Sequence, residues 1–285
     1  MDGVVTGGVR ALRVMVGVTA AATAAVEVVV WIYAPERGFA LGVRTAWALL
    51  RTVGWLVLLW NVRRGRAASR PLGLILAVTT VFAVGRLLVP AEGLPPVPGA
   101  VGFVLLTALC LTVVILLYRH PTVTGYLVRH PRRLVPTRRG MEWQEWTPKR
   151  APASPWAITA RVAALTYAPL VLVPCLVSVG ELAEKPEYLL AVVFWFVLGL
   201  GTSFLVALTT FFLLRGNTWA RRLLIWVTVA VVALDLPLCW LLLGVDGLIR
   251  DGGPLVVAAC LTSYALWRLR RSDLGASRAT AQATA

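Results

Sequence analysis

The chain alternates long apolar runs with short polar segments. Eight runs of roughly 20 residues are long enough to cross about 30 Å of hydrocarbon as helices. They cover residues 11–33, 39–62, 72–90, 98–118, 156–180, 188–214, 219–243 and 253–269. Because these runs are too long and too uniformly apolar for barrel strands, which alternate, they predict an all-α, polytopic membrane protein with eight transmembrane helices.

The composition supports this class and excludes others. Of the 285 residues, 59% are hydrophobic and only 14% are charged, whereas soluble domains are about 45–50% apolar and about 25% charged. An ordinary soluble enzyme, a disordered chain and a disulfide scaffold are therefore excluded. The four cysteines lie inside apolar runs, where small packing residues are expected: Cys110, Cys175, Cys239 and Cys260.

The connecting segments alternate in charge, which predicts an orientation. The basic set is the N-terminal tail, the 63–71, 119–155 and 215–222 loops and the C-terminal tail. The loops of the other set are acidic or nearly neutral and contain Glu36, Glu92, Glu184 and Asp246. By the positive-inside rule, both termini and the 119–155 segment lie in the cytoplasm, with the protein in the plasma membrane. The first run extends through Trp31, too long for a signal peptide.

The two halves match at a constant offset of 151 residues, which predicts an internal duplication. Arg10 matches Arg161, the pair Pro35-Glu36 matches Pro186-Glu187, and the pair Arg64-Gly65 matches Arg215-Gly216. After a one-residue deletion, Cys110-Leu111-Thr112 matches Cys260-Leu261-Thr262. We expect two parallel four-helix repeats, 1–118 and 156–285, joined by a basic cytoplasmic linker, 119–155.

One junction between runs carries a resemblance. The segment Leu214-Arg215-Gly216-Asn217-Thr218-Trp219-Ala220-Arg221 resembles a helix-to-helix junction of uncharacterised multipass membrane proteins of high-GC bacteria. The resemblance covers this loop alone and implies no chemistry. Physically, Gly216 and Asn217 permit a tight turn, and Trp219 can anchor the next helix at the membrane interface.

Polar residues inside the apolar runs are the candidate substrate-binding residues, because ionisable groups are costly in lipid. They are Glu27, Arg44, Arg51, Arg86, Thr202 and Asp235. One interpretation is structural, with ion pairs between Glu27 and Arg44 and between Asp235 and Arg51. The other is a polar cavity, open to the outside, with surplus positive charge for an anionic group.

Three function classes remain. The leading one is a transport-related or permease-like component with an arginine-lined outer cavity. The second is an intramembrane enzyme on a lipid or isoprenoid substrate, with Asp235 or Glu27 as general acid. The third is a structural or immunity-type membrane protein. The sequence contains no P-loop, GxSxG or HExxH motif, and His120 and His130 lie in a polar loop. No cofactor or metal site is therefore predicted, and enzyme function is not favoured.

The predicted partners are the lipid bilayer and other membrane subunits, with no nucleic acid. The 119–155 linker combines arginines with Trp143 and Trp146, which suits anionic lipid headgroups. An ordinary linker is the alternative. Pro169, Pro174 and Pro237 lie inside runs, where each can kink its helix.

Overall fold

The structure is a computed structural model in which the apolar segments are helical. It describes residues 7–34, 38–88, 96–127, 132–137, 140–145, 154–180, 182 and 185–284. The first half contains α1 (Gly7–Tyr33), α2 (Phe39–Arg63), α3 (Ser69–Val84), α4 (Pro96–Arg119) and α5 (Pro121–Tyr126). The second half contains α6 (Pro155–Leu165), α7 (Tyr167–Val179), α8 (Leu189–Leu214), α9 (Thr218–Gly247) and α10 (Gly253–Thr284).

Six helical segments of the described chain are long and apolar enough to cross a membrane. They are Gly7–Tyr33, Phe39–Arg63, Pro98–Arg119, Pro155–Val179, Pro186–Leu214 and Thr218–Ser272. The count differs from eight for two reasons. The third run forms α3, which has 16 residues and continues as a 3₁₀ turn, Gly85–Leu88. The seventh and eighth runs are joined in the 55-residue segment Thr218–Ser272.

That 55-residue segment is broken in the middle. Gly244 has φ 68° and ψ −164°, which is outside helical geometry, and a π-helical turn, Leu248–Gly252, follows. A β-carbon added at Gly252 would meet the side chain of Leu236. Because a straight helix would separate these two residues by about 24 Å, the chain must fold back between α9 and α10.

The segment between the two halves is partly structured, which the sequence did not predict. Strands β1 (Arg132–Thr137) and β2 (Gly140–Glu145) pair antiparallel, with Arg132 opposite Glu145. The all-helical class therefore describes the apolar segments, and this hairpin is an addition within the predicted linker. Trp143 lies on β2, while Trp146 and His130 lie outside the described residues.

The chain divides into two compact units. The first unit comprises Met1–Arg37 and Arg44–Pro152, and the second comprises Gly38–Val43 and Ala153–Ala285. In the first, α1 and α3 both pack against α4, around a core that includes Leu12, Trp55, Leu58 and Leu117. The predicted division into 1–118, 119–155 and 156–285 stays a prediction.

In the second unit, α6 packs against α8 and α10, and α7 packs against α8 and α9. The fifth predicted span forms two helices, α6 and α7, that meet at Thr166. Proline has no N–H, so Pro169 cannot donate to the carbonyl of Leu165, and the helix breaks at this point. Pro174 and Pro237, in contrast, lie inside continuous stretches of α7 and α9.

The helix α5 closes one end of the first unit. Val123 and Leu127 are buried there. The Tyr126 hydroxyl donates to the carbonyl of Arg63 (2.7 Å) and accepts from the Arg13 guanidinium (3.0 Å). Arg70 donates to the carbonyl of Thr124 (2.9 Å). The start of α1, the end of α2, the start of α3 and the end of α4 therefore lie together.

We call this end the basic end of the first unit. It is defined by Arg13, Arg63, Arg64, Arg66 and Arg70. All five side chains are positively charged, and the sequence from Gly38 to Ala91 contains no Asp or Glu. Because α5 and Leu127 pack at this end, residues 119–127 of the predicted linker belong to the folded first unit.

Two turns share one backbone design at the 151-residue offset. Helix α2 ends with hydrogen bonds from Gly65 N to Val62 O and from Arg66 N to Asn61 O. Helix α8 ends with the equivalent pair, from Gly216 N to Leu213 O and from Asn217 N to Phe212 O. Both are Schellman motifs, in which the glycine adopts positive φ, 67° at Gly65 and 82° at Gly216.

The buried faces of three helices also recur at this offset. The buried positions that match are 9/160, 12/163, 16/167, 19/170, 20/171, 23/174 and 27/178 in α1 and α6–α7, 48/199, 51/202, 55/206, 58/209 and 62/213 in α2 and α8, and 69/220, 73/224, 76/227, 77/228, 80/231 and 84/235 in α3 and α9. The fourth helix departs from the predicted alignment, because Cys110 is buried and Cys260 is exposed. The buried face of α10 therefore does not correspond to that of α4 when the two Cys-Leu-Thr segments are aligned.

Replacing the turn glycines should destabilise the protein unequally. An alanine at positive φ costs about 1–2 kcal/mol, so Gly216→Ala, with open space around it, should lower stability by about that amount. Gly65→Ala should cost more, since its β-carbon would lie 3.1 Å from the Tyr126 carbonyl oxygen. Thermal unfolding in detergent measures both. Gly17→Ala, in open space within α1, is the helical control and should be neutral or stabilising. Equal stability of all three variants would contradict the assignment of Gly65 and Gly216 as positive-φ glycines of Schellman motifs.

Candidate functional site

Arg51 makes a buried polar contact between α2 and α3 of the first unit. Its side chain is only 6% exposed, and one guanidinium nitrogen donates to the carbonyl of Thr79 on α3 (3.1 Å). One turn along α2, the Trp55 indole donates to the hydroxyl of Thr80 (3.2 Å). This hydrogen bond joins α2 to α3 and fixes the direction of the Arg51 side chain.

Glu27 is the buried acid of the first unit. It is 5% exposed, and its Oε1 accepts a hydrogen bond from the Thr45 hydroxyl on α2 (2.9 Å). Thr45 was not a predicted site residue, although it is adjacent to Arg44 in the sequence. The contact links α1 to α2 near the ends opposite the basic end, since Glu27 lies late in α1 and Thr45 lies early in α2.

The other two predicted arginines are less completely defined. Arg44 is half-buried on α2, and Arg86 lies in the 3₁₀ turn after α3, with its side chain outside the described residues. The pairing of Glu27 with Arg44 stays a prediction, as does the pairing of Arg51 with Asp235. The first unit buries two charged side chains, Glu27 and Arg51, and each is hydrogen-bonded to a neighbouring helix.

Asp235 is the buried acid of the second unit and has no exposed surface. Its Oδ1 accepts from the Trp195 indole on α8 (2.7 Å), and the Cys239 thiol donates to its Oδ2 (3.6 Å). Trp195 was missed as a site residue because an indole in an apolar run has no charge to mark it. The sequence did contain one indication that Trp195 is a site residue, because the 151-residue offset pairs Trp195 with the candidate Arg44.

Thr202 lies on the same helix face as Trp195. Both side chains are buried, with Gly199 between them, and this face of α8 packs on α7 and α9. Elsewhere in the second unit, the hydroxyls of Tyr167 on α7 and Thr228 on α9 are hydrogen-bonded (3.1 Å). Thr202 is therefore an interior residue of the second unit, and its role in substrate binding stays a prediction.

A small cleft opens at one end of the second unit. Its cavity volume is only about 10 Å³, and it is lined by Ser178, Leu182, Lys185, Tyr188, Val192 and Leu242. A single water molecule needs about 10–15 Å³, so this cleft holds no more than about one water and is not a ligand pocket. Asp235 and Thr202 do not line it. Among the described residues, no group of three or more His, Cys, Asp or Glu could hold a metal ion.

Comparison with known proteins gives no match: no family model matches the chain, nor does any curated protein or solved structure.

The Trp195–Asp235 hydrogen bond should be a measurable source of stability. Trp195→Phe removes the donor and leaves a buried carboxyl oxygen without it, which costs about 1–3 kcal/mol. The double variant Trp195→Phe with Asp235→Leu should recover much of this loss, because the orphaned acceptor is gone. Thermal unfolding in detergent reports both changes. Trp240→Phe, at an exposed site on α9, should have little effect. The single variant Asp235→Leu completes the cycle, and a loss in the double variant as large as the sum of the two single losses would rule out the coupling.

Proposed function

We propose that the protein crosses the plasma membrane eight times, with both termini in the cytoplasm. The layout of the first unit supports this. Hydrogen bonds gather the ends of α2 and α4 and the start of α3 at the basic end, so α3 must run away from it and α4 must return. Together, α3 and its 3₁₀ turn extend about 32 Å, which is sufficient to span the hydrocarbon. The reversal near Gly244 supports separate seventh and eighth spans.

The duplication is part of the same proposal. The equivalent Schellman turns at Gly65 and Gly216 and the recurring buried faces of three helices support two parallel four-helix repeats. A backbone turn and a burial pattern depend on packing rather than on amino-acid composition. The match is therefore stronger support than shared residue types alone.

With this topology, the chain functions as a transport-related, permease-like membrane component. It binds an anionic group in an arginine-lined outer cavity. The observation that carries the proposal is the burial of Arg51 and Glu27 within apolar spans. Charged groups in a membrane interior are costly, and they commonly mark substrate or ion pathways. Arg44, Arg51 and Arg86 outnumber Glu27 in the first unit, and this surplus selects an anion.

The lipid-enzyme alternative is less well supported. A general acid must reach the substrate, whereas Asp235 has no exposed surface and both of its oxygens accept from protein donors. It also does not line the described cleft. Asp235 is better explained as an interior polar contact between α8 and α9.

The topology can be tested with reporter fusions. Fusions after Arg66, Arg138 and Arg278 should report a cytoplasmic location, because each follows a basic segment. Fusions at Glu92 and Glu184 should report the outside. A paired cytoplasmic and periplasmic reporter at each site supplies the control. An external signal at Arg138 would overturn the whole orientation, and a cytoplasmic signal at Glu92 would remove the third and fourth spans.

Transport can be tested in proteoliposomes containing the full chain. Uptake of chloride, phosphate and a small carboxylate is compared with uptake by protein-free vesicles. Arg51→Gln should lower uptake of the accepted anion about tenfold, since a lost hydrogen bond to a charged group costs about 1.5–3 kcal/mol.

The control for charge is Arg10→Gln, which removes an exposed arginine at the start of α1 and should leave uptake unchanged. Helix content of each variant is checked by circular dichroism. Anion uptake equal to that of empty vesicles, or equal in both variants, would contradict the proposal.

A further inference from the structure

Two arginines of the first unit converge on a single tryptophan ring. The guanidinium carbon of Arg64 lies 3.9 Å from the ring centroid of Trp60, and that of Arg66 lies 4.9 Å from it. Trp60 is 46% exposed, in the last turn of α2. The arrangement concentrates two positive charges at one exposed aromatic side chain.

The backbone turn creates this convergence. Arg64 follows Trp60 by one helical turn, which places it on the same face. The positive φ of Gly65 then reverses the chain and directs Arg66 back over the ring. The Arg66 backbone N–H donates to the carbonyl of Asn61 (3.1 Å), and its guanidinium donates to the side-chain oxygen of Asn61 (3.3 Å). Arg66 is therefore held in place before any ligand binds.

The chemistry of this pair selects a phosphate ester. Stacking occupies the flat face of a guanidinium, while its N–H donors lie around the edge in a fork that matches phosphate oxygens. Carboxylates do not compete nearby in sequence, because no Asp or Glu occurs from Gly38 to Ala91. Arg66 is already held by Asn61 and can therefore donate to a phosphate at low cost in side-chain entropy, while Arg64 adds a second positive charge at the same ring.

The surface below the ring indicates that the phosphate belongs to a lipid. Val53, Leu56 and Val57 are each about half exposed and lie on the face of α2 that leads to Trp60. They form an apolar strip one to two helical turns long, which suits an acyl chain lying along a membrane span. An indole at the end of such a strip occupies the headgroup level, where tryptophan is enriched.

We propose that Trp60, Arg64 and Arg66 form a binding site for the headgroup of an anionic phospholipid, whose acyl chain lies on Val53, Leu56 and Val57. The site is distinct from the predicted lipid contact at residues 119–155, and it does not depend on transport. It requires only that α2 crosses the membrane.

The second Schellman turn provides an internal comparison. There, the guanidinium carbon of Arg215 lies 4.1 Å from the ring centroid of Phe211, at the positions that the offset assigns to Arg64 and Trp60. Asn217 replaces Arg66. This turn repeats the stack with one guanidinium and a smaller ring, so it should bind the same lipid more weakly.

The test uses the purified full chain in detergent, with phosphatidylglycerol or phosphatidylcholine added and bound lipid counted by native mass spectrometry. Arg64→Gln with Arg66→Gln should weaken phosphatidylglycerol binding at least about tenfold, because each arginine contributes about 1 kcal/mol at an anionic surface. The matched control is Arg215→Gln with Arg271→Gln. It removes the same charge from two separate aromatic stacks and should weaken binding much less.

Further variants keep the proposal falsifiable if the glutamine double variant misfolds. Arg64→Lys with Arg66→Lys retains the charge but loses the planar fork, and it should weaken binding several-fold. Trp60→Phe should bind better than Trp60→Leu. Inorganic phosphate in millimolar excess should not displace the lipid.

Three outcomes would overturn the site. Equal losses in the target and control double variants would mean a general charge effect. Equal binding of phosphatidylcholine would exclude anion recognition. Displacement by inorganic phosphate would mean that the arginines bind free phosphate and that the acyl strip has no role.

Discussion

A polar group placed inside a membrane span has no water to satisfy it, and much of this structure follows from that constraint. Several pairs of packed helices carry a side-chain hydrogen bond that crosses from one helix to the other. Trp55 reaches Thr80 from α2 to α3, Trp195 reaches Asp235 from α8 to α9, and Tyr167 contacts Thr228 from α7 to α9. Each bond fixes the rotation of one helix against another more narrowly than apolar packing does.

Buried hydroxyls and buried charges meet this constraint in different ways. Thr19, Thr23 and Thr262 donate to the carbonyl one turn earlier in their own helix, so they need no partner elsewhere. Arg51 and Asp235 cannot do this and depend on neighbouring helices. Threonine in a span therefore carries little information about function, whereas a buried arginine or acid reports on a specific pair of helices.

The sequence predicted the helices well because their signal is local. The apolar runs at 39–62 and 188–214 begin and end within about one residue of α2 and α8. The sequence did not predict the backbone conformation of the turns that follow the apolar runs. Nothing in the run at 72–90 specified a 3₁₀ turn at Gly85, and the Schellman geometry of Gly65 had to be seen in the hydrogen bonds. The hairpin at Arg132–Glu145 has no apolar run to predict it.

The candidate site was predictable only in part. Charge identified Glu27, Arg51 and Asp235 as interior residues, and all three are buried. Their neutral partners, Thr45, Thr79 and Trp195, carry no such mark and follow only from how the helices pack. A single sequence shows where a costly group lies but not which neutral group stabilises it.

The two Schellman turns show where the halves differ. Their backbone hydrogen bonds and positive-φ glycines are equivalent, so the turn itself tolerates little change. Their side chains have diverged, with Trp60 and Arg66 in one and Phe211 and Asn217 in the other. The interior shows the same division, because the buried positions 51 and 202 are Arg51 in one half and Thr202 in the other. Equivalent packing positions thus carry different charges. The turns and the buried positions are therefore what the two halves have in common, and the charge at position 51 distinguishes the interior of the first unit from that of the second.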